Sequence, residues 1–237
     1  MNKQTKMSKE NLLFDKGPAI YTETIASKHT VSMSSLLADP EEFDDVVNLL
    51  RTAGELDHIT FLLNNHGGSV DVLLPLINFL EMTSAHTLAM CTGSQSSAAT
   101  IFAMYCDDLV AMDHSEFMIH EMQAGTIGTM SNVERSSQSL MRRNARLVKE
   151  AYGGFLTEQE IQDVLRGVEI YLDDEEINRR FPLRQEWREE FYSAKQAAFE
   201  AKIQESIDAV QAQMAEVEEQ LEAVKPAKKA PAKKAAR

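Results

Sequence analysis

The chain has 237 residues, 43% of them hydrophobic and 26% charged, so it can bury one good core and carry an appendage. Its formal charge of −13 argues against a body that binds nucleic acid, and no run approaches the roughly 20 apolar residues of a membrane span. The N-terminus has no apolar stretch typical of a secretory signal. We therefore expect a cytoplasmic protein in which Cys91 and Cys106, both inside apolar runs, are reduced and buried.

The first three quarters of the chain have the pattern of an α/β domain that follows a short arm. Residues 1–17 are polar and aperiodic, which indicates a mobile arm, whereas residues 18–184 alternate short apolar runs with helical stretches. Pro75 lies inside one predicted helix and predicts a kink or a later start there. The pattern predicts strands over 19–25, 58–63, 87–91, 109–112 and 117–119, and helices over 40–51, 70–82, 97–105 and 132–152.

Signals for helix ends mark the second part of this domain. Residues 124–130 contain two glycines and predict a hairpin or an extended strip. The helix over 132–152 is expected to end at Gly153 and Gly154, and Thr157 with Glu160 three residues later has the spacing of a capping box. The apolar stripe of the helix is formed by Leu140, Met141, Leu147 and Val148.

The C-terminal part of the chain predicts a long helix followed by a tail. Residues 185–224 contain neither Gly nor Pro, and apolar residues recur there at steps of four and three, which predicts a coiled coil. An amphipathic helix packed back on its own domain is the alternative. Residues 225–237 form a basic, low-complexity tail that cannot build a core. The apolar repeat consists of Ile203, Ile207, Val210, Met214, Val217, Leu221 and Val224.

Three short motifs follow predicted strands in a fixed order. They are Asn-Asn-His-Gly-Gly-Ser at 64–69, Gly-Ser-Gln-Ser-Ser-Ala-Ala at 93–99 and Met-Ile-His-Glu at 118–121. Parallel strands joined by helices bring their carboxyl ends to one edge of a sheet. Together the motifs supply a hydroxyl, an imidazole and a glycine loop with exposed N–H groups, which is what acyl transfer requires.

Each motif also has an ordinary structural interpretation. Paired glycines often form a simple turn, a serine before a helix is often an N-cap, and a histidine after an apolar run can be a hydrogen-bonded interior residue. The residues alone leave both interpretations open.

The order and spacing of the motifs resemble the proteolytic subunit of the Clp proteases, a serine peptidase family, over residues 18–180. There a strand ends near Asn-Ser-Pro-Gly-Gly, Gly-Gln-Ala-Ala-Ser follows, and Met-Ile-His-Gln-Pro comes later. The resemblance implies Ser97 as nucleophile and His120 as general base, with Gly68 and Ala98 as backbone donors to the oxyanion. It implies Gly67 in the substrate-binding loop, and no metal or other cofactor.

The chain differs from the pattern of the Clp family at several positions. His66 stands where the family has proline. The family's third catalytic residue, an aspartate in an Arg-Asp pair, aligns with Glu169, which can orient a histidine as aspartate does; Asp163 and Asp173 remain alternatives. The missing arginine and Glu121-Met122 in place of Gln-Pro remove groups that the family uses between stacked rings.

The expected fold is therefore α/β, with the superhelical βαβ core shared by the Clp proteases and the crotonases, a handle helix and a C-terminal coiled-coil helix. The expected domains are an arm at 1–17, a protease domain at 18–184, a helical extension at 185–224 and a disordered tail at 225–237.

The expected activity is that of a serine endopeptidase in a homo-oligomeric ring, acting on protein or peptide substrates. It would be fed by an AAA+ unfoldase or would act with capsid or scaffold proteins in viral head maturation, in the host cytoplasm. The alternatives are an inactive Clp-like scaffold that uses its coiled coil, and a crotonase-like protein that binds acyl-CoA. Membrane binding is not expected, and nucleic acid is a partner only for the basic tail.

Overall fold

The computed structural model describes residues 25–36 and 39–224. It contains two compact units, Met1–Met112 and Asp113–Arg237. The predicted arm at 1–17, the basic tail at 225–237 and nearly all of the predicted strand at 19–25 lie outside the described residues. The chain is a mixed α/β protein, as the sequence predicts.

The described residues of the first unit form four parallel strands. They are β1 (Lys28–Met33), β2 (His58–Asn65), β3 (His86–Ser96) and β4 (Asp108–Ala111), and β2 and β4 both pair with β3. The buried side chains of β2, Ile59, Phe61 and Leu63, alternate with more exposed ones, which is the period of two expected of a strand. β1 begins nine residues later than the predicted strand at 19–25.

The helices of this unit connect consecutive parallel strands. A 3₁₀ turn at Pro40–Phe43 leads into α1 (Asp44–Thr52), and α2 (Val70–Met82) and α3 (Ala98–Met104) follow. α2 begins at Val70 despite Pro75, because the Ser69 hydroxyl accepts a hydrogen bond from Asp71 N–H at 3.1 Å and caps the first turn. The prediction of a later start for this helix was therefore wrong.

The described residues of the second unit form two short antiparallel strands and three helices. β5 (Glu116–Ile119) pairs with β6 (Ile170–Asp173), a strand that the sequence pattern does not reveal. α4 (Met130–Tyr152), α5 (Glu158–Val164) and α6 (Asp174–Val224) complete the unit. Residues 120–129 form no regular element, so no hairpin is present in the predicted strip.

Two glycines allow α6 to pack at the end of α4. A Cβ on Gly153 would lie 2.3 Å from the Trp187 ring, and a Cβ on Gly154 would lie 2.7 Å from Leu183 O. Gly154 has φ +76°, as expected after a helix C-terminus. The buried Arg184 guanidinium donates to the Ala151 and Glu150 carbonyls at 2.8 and 3.2 Å. These carbonyls lie in the last turn of α4, where they lack partners within the helix.

Other signals along these helices are confirmed with one exception. Thr157 and Glu160 form the predicted capping box. Leu147 and Val148 are buried, whereas Met141 is 68% exposed and does not belong to the apolar stripe of α4. Among the described helices, none has a stretch apolar and long enough to traverse a bilayer.

α6 is longer than the sequence predicts, because it begins at Asp174 and continues through Pro182. Every residue from 193 to 217 is exposed. The apolar repeat is exposed as well, by 43–59% from Ile203 to Met214 and by 53% at Val217. The alternative in which this helix packs back on its own domain is therefore wrong for the described residues.

Candidate active site

Ser97 lies at a sharp turn between β3 and α3. Its backbone has φ 57° and ψ −128°, a conformation that residues with a side chain rarely adopt and that costs about 1–3 kcal/mol. Such strain persists only where the surroundings hold it, and it is concentrated at functional sites. Thr100 holds the turn from the helix side, because its N–H and its hydroxyl donate to Ser97 O at 3.0 and 2.7 Å.

An irregularity in the strand pairing precedes this turn. Leu63 pairs with Cys91, but Asn65 pairs with Gln95, so β3 contains two extra residues between the two pairs. Bulges of this kind redirect a strand and are common beside active sites. Here the bulge changes the direction of β3 immediately before Ser97.

The glycine motif packs directly against the serine turn. A Cβ on Gly67 would lie 2.6 Å from Ser96 O, 2.9 Å from Ser97 Cβ and 3.0 Å from Ala98 N, and Gly67 has φ +86°. A residue with a side chain would therefore collide with the turn and would strain its own backbone. The structure brings together Gly67, Ser97 and Ala98, three of the residues predicted from the sequence.

The amide of Gly68 faces away from its neighbouring chain segment. Leu36 bridges to Gly68 by donating to Gly67 O at 3.0 Å and by accepting from Ser69 N at 2.9 Å. In a parallel bridge the N–H and C=O of the central residue point to the opposite side. Within the described residues the Gly68 N–H has no acceptor, so it remains available to a substrate carbonyl or an extended peptide.

Two buried amides position this region, and sequence reasoning gave neither of them a role. Asn65 Oδ1 accepts from Gly67 N–H at 2.8 Å, which closes the glycine turn. Gln95 Nε2 donates to Leu63 O at 2.6 Å and ties the bulged strand to β2. Both residues lie inside the quoted motifs, and a polar residue at an inward-facing strand position was the available signal.

His120 and Glu169 lie in the second unit, each one residue beyond the end of the antiparallel β5–β6 ladder. Ile119 pairs with Ile170, and the same register extended by one residue would place His120 opposite Glu169. Residues directly opposite each other have Cβ atoms about 4.5–5.5 Å apart on the same face of the sheet. His120 is half-buried and Glu169 is exposed.

The Glu169 carboxylate already has a partner. Tyr171 Oη donates to Glu169 Oε2 at 2.8 Å, and this hydrogen bond, together with the carboxylate charge, raises the pKa of Tyr171. Within the described residues no hydrogen bond joins Glu169 to His120.

The two alternative acids are engaged elsewhere. Asp173 accepts from Glu176 N–H at 2.9 Å at the start of α6, and its ladder partner is Glu116, four residues before His120. Asp163 accepts from Gln159 at 2.9 Å and lies 3.8 Å from Arg166. Of the three carboxylates, Glu169 is the one that the register places beside the histidine.

A small cavity follows His120 along the chain. It has a volume of about 180 Å³ and lies between residues 121–126 and α4. The buried Asn144 forms part of its wall and accepts from Met122 N–H at 3.1 Å, which fixes the segment after the histidine.

Comparison with known proteins relates the chain to one family. The family model described as Clp protease matches residues 23–174. Curated relatives named ATP-dependent Clp protease proteolytic subunit are 29% identical in Bacteroides fragilis and 28% identical in Bacteroides thetaiotaomicron, over 96 residues. Those residues make up 40% of this chain and 42–44% of each relative, so the match spans less than half of the relatives' length. Because the family model covers more than half of the chain, the protein belongs to the Clp protease family.

Proposed function

We propose that the chain is a serine endopeptidase that cleaves peptide bonds through an acyl-enzyme. The observation that carries the proposal is the strained Ser97 turn, held against the side-chain-free Gly67 at the end of a bulged strand. A plain N-cap serine needs neither the strain nor the close glycine, because capping residues adopt ordinary extended backbone.

The proposed chemistry assigns one role to each residue. Ser97 Oγ attacks the scissile carbonyl while His120 accepts its proton, and His120 then donates that proton to the leaving amine. Glu169 orients the imidazole and stabilises its charged form. The N–H groups of Gly68 and Ala98 donate to the oxyanion, which carries the charge that develops in the transition state.

For Glu169 to act in this way, its carboxylate must also reach His120, and Oε1 can accept from the imidazole while Oε2 keeps its bond from Tyr171. Tyr171 lies two residues from Glu169 along the chain and therefore on the same face, the face on which the extended register would place His120. The proposal thus needs no change in strand register.

The test is labelling of the full chain with a fluorophosphonate probe. Labelling that persists in Ser96→Ala and disappears in Ser97→Ala would support the assignment, because the two serines are adjacent and only one lies at the strained turn. A wild-type chain that stays unlabelled under conditions where a known serine peptidase is labelled would contradict it.

The setting in which the enzyme acts is a further part of the proposal. We propose a homo-oligomeric ring in the cytoplasm that receives protein substrates, either from an AAA+ unfoldase or during viral head maturation. The exposed helix α6 favours the second setting, because a long helix with an unpaired apolar repeat is suited to assembly with other chains. The chain would be co-expressed with capsid or scaffold protein. Appearance of the processed form of that protein would distinguish viral head maturation from ATP-dependent degradation.

The same helix supports a second candidate function, an inactive Clp-like protein that acts in assembly. It predicts intact oligomers in which Ser97 does not react with the probe. Retention of oligomers together with strong Ser97 labelling would contradict this candidate.

A further inference from the structure

We infer that α6 is an interface between copies of this chain, formed by an apolar stripe that we define as Ile203, Ile207, Val210, Met214 and Val217. The stripe follows the alternating steps of four and three residues that place side chains on one face of a coiled-coil helix. Its members are 43–59% exposed. The inference does not depend on the proposed peptidase activity.

The helix that carries the stripe lacks support within the described chain. All residues from 193 to 217 are exposed, over about 37 Å at 1.5 Å per residue. Helical stability in proteins comes mainly from packing of an apolar face rather than from intrinsic propensity. A stretch of this length with an exposed apolar face therefore needs a partner helix.

The charge pattern identifies that partner as a second copy. The positions that flank the stripe hold Gln204, Ser206, Gln211 and Gln213, which are uncharged, and Glu218, which is acidic. Three further acids, Glu205, Asp208 and Glu216, occupy the outer positions of the heptads. A distinct charged partner is normally selected through the flanking positions, whereas in a parallel second copy Glu218 would face the uncharged Gln213, so no like charges meet.

The residue types in the stripe favour more than two helices. Ile203, Val210 and Val217 occupy the d positions, and all three are branched at Cβ. Branched residues at d pack poorly in two-stranded parallel coils and shift the preference to three or four strands. Ile207 and Met214 at the a positions are compatible with either number.

Cysteine cross-linking in the full chain tests the interface. Single variants Ile203→Cys, Val210→Cys and Val217→Cys, and a mixture of the first and third, are oxidised under native conditions in a Ser97→Ala background. Ala212→Cys, on the outer face of the same helix, is the matched control. The native Cys91 and Cys106 are buried, so they do not interfere.

We expect at least one stripe sample to form covalent oligomers several-fold more than Ala212→Cys does. Linkage of all three single variants indicates parallel helices, whereas linkage of Val210→Cys and of the mixture, without linkage of Ile203→Cys or Val217→Cys alone, indicates antiparallel ones. Cross-linking no greater than that of the control in every stripe sample would overturn the inference.

A mass measurement provides the second readout. By sedimentation, Ile207→Lys is expected to lower the oligomeric mass or to raise its dissociation constant at least tenfold, while Ala212→Lys leaves both unchanged. Equal behaviour of the two lysine variants and the wild type would also overturn the inference. A failure of Ser97 labelling would affect the proposed activity and not this result.

Discussion

At the scale of single residues, the close approach of Gly67 to the serine turn is a feature on which the proposed activity depends. Replacement by alanine places a methyl group 2.6 Å from Ser96 O at a backbone φ of +86°. We expect Gly67→Ala to destabilise the fold by about 1–3 kcal/mol and to lower the labelling rate of Ser97 at least tenfold.

A matched alanine variant makes that prediction specific. A Cβ on Gly125 would have no heavy atom within 4 Å, so Gly125→Ala should retain the stability and labelling of the wild type. Thermal melts and fluorophosphonate labelling of both variants measure the two effects. Unchanged labelling in a folded Gly67→Ala protein would show that the loop does not act on the serine.

The sequence indicates these residues as candidates for the site, but it does not indicate their geometry. Strand-ending motifs in a fixed order indicate Ser97, His120 and Gly67. Ser97 has its positive φ beside the bulge in β3 and close to Gly67, and both of these features depend on residues distant in sequence. Glu169 was indicated by resemblance alone, and its place opposite His120 depends on a strand register that no local pattern encodes.

At the scale of elements, the periodic helices were predictable and the short strand β6 was not. α2 and the capping box of α5 lie where the pattern predicts them, because local capping fixes both starts. β6 has four residues and gains its order from pairing with β5, a contact across about fifty residues of chain.

Helix α6 begins with an ion cluster whose effect on stability depends on pH. The Glu176 carboxylate accepts from Arg179 at 2.7 Å and from Arg180 at 2.7 Å, and these hydrogen bonds lower the pKa of Glu176 to about 2. A lowered carboxyl pKa contributes stability that is complete above the ordinary value of 4.5 and is lost as the pH falls toward 2.

We therefore expect Glu176→Gln to reduce the loss of stability on acidification between pH 4.5 and 2. Glu175→Gln, one position earlier on the same helix turn, is the control and should follow the wild type. Urea unfolding at several pH values measures the slope. Equal slopes in all three proteins would show that the cluster is too well solvated to matter.

At the scale of the whole molecule, charge is unevenly distributed along the chain. The formal charge is −13, of which residues 225–237 contribute +6, leaving −19 on residues 1–224. Copies that associate through α6 bring these acidic bodies together, and the tail offsets part of the repulsion. The effect of the tail on association should be large at low salt, where charges interact over a Debye length of about 30 Å. It should be small at 0.15 M, where the Debye length is about 8 Å.

Replacing the six basic residues of the tail by glutamine should weaken association at about 10 mM salt and leave it nearly unchanged at 0.15 M. Replacing only the five lysines by arginine preserves the charge and should have no effect. Sedimentation at the two salt concentrations makes the comparison. If both variants self-associate as strongly as the wild type at low salt, the tail does not act through its charge.

The length of α6 also sets a limit on what the basic tail can touch. From Trp187 to Val224 the helix rises about 56 Å at 1.5 Å per residue. The thirteen residues that follow can span at most about 47 Å even when fully extended. The tail therefore cannot fold back to the Trp187 end of its own helix. Any binding or cutting of the tail in that region is an event between molecules, and its rate will rise with protein concentration.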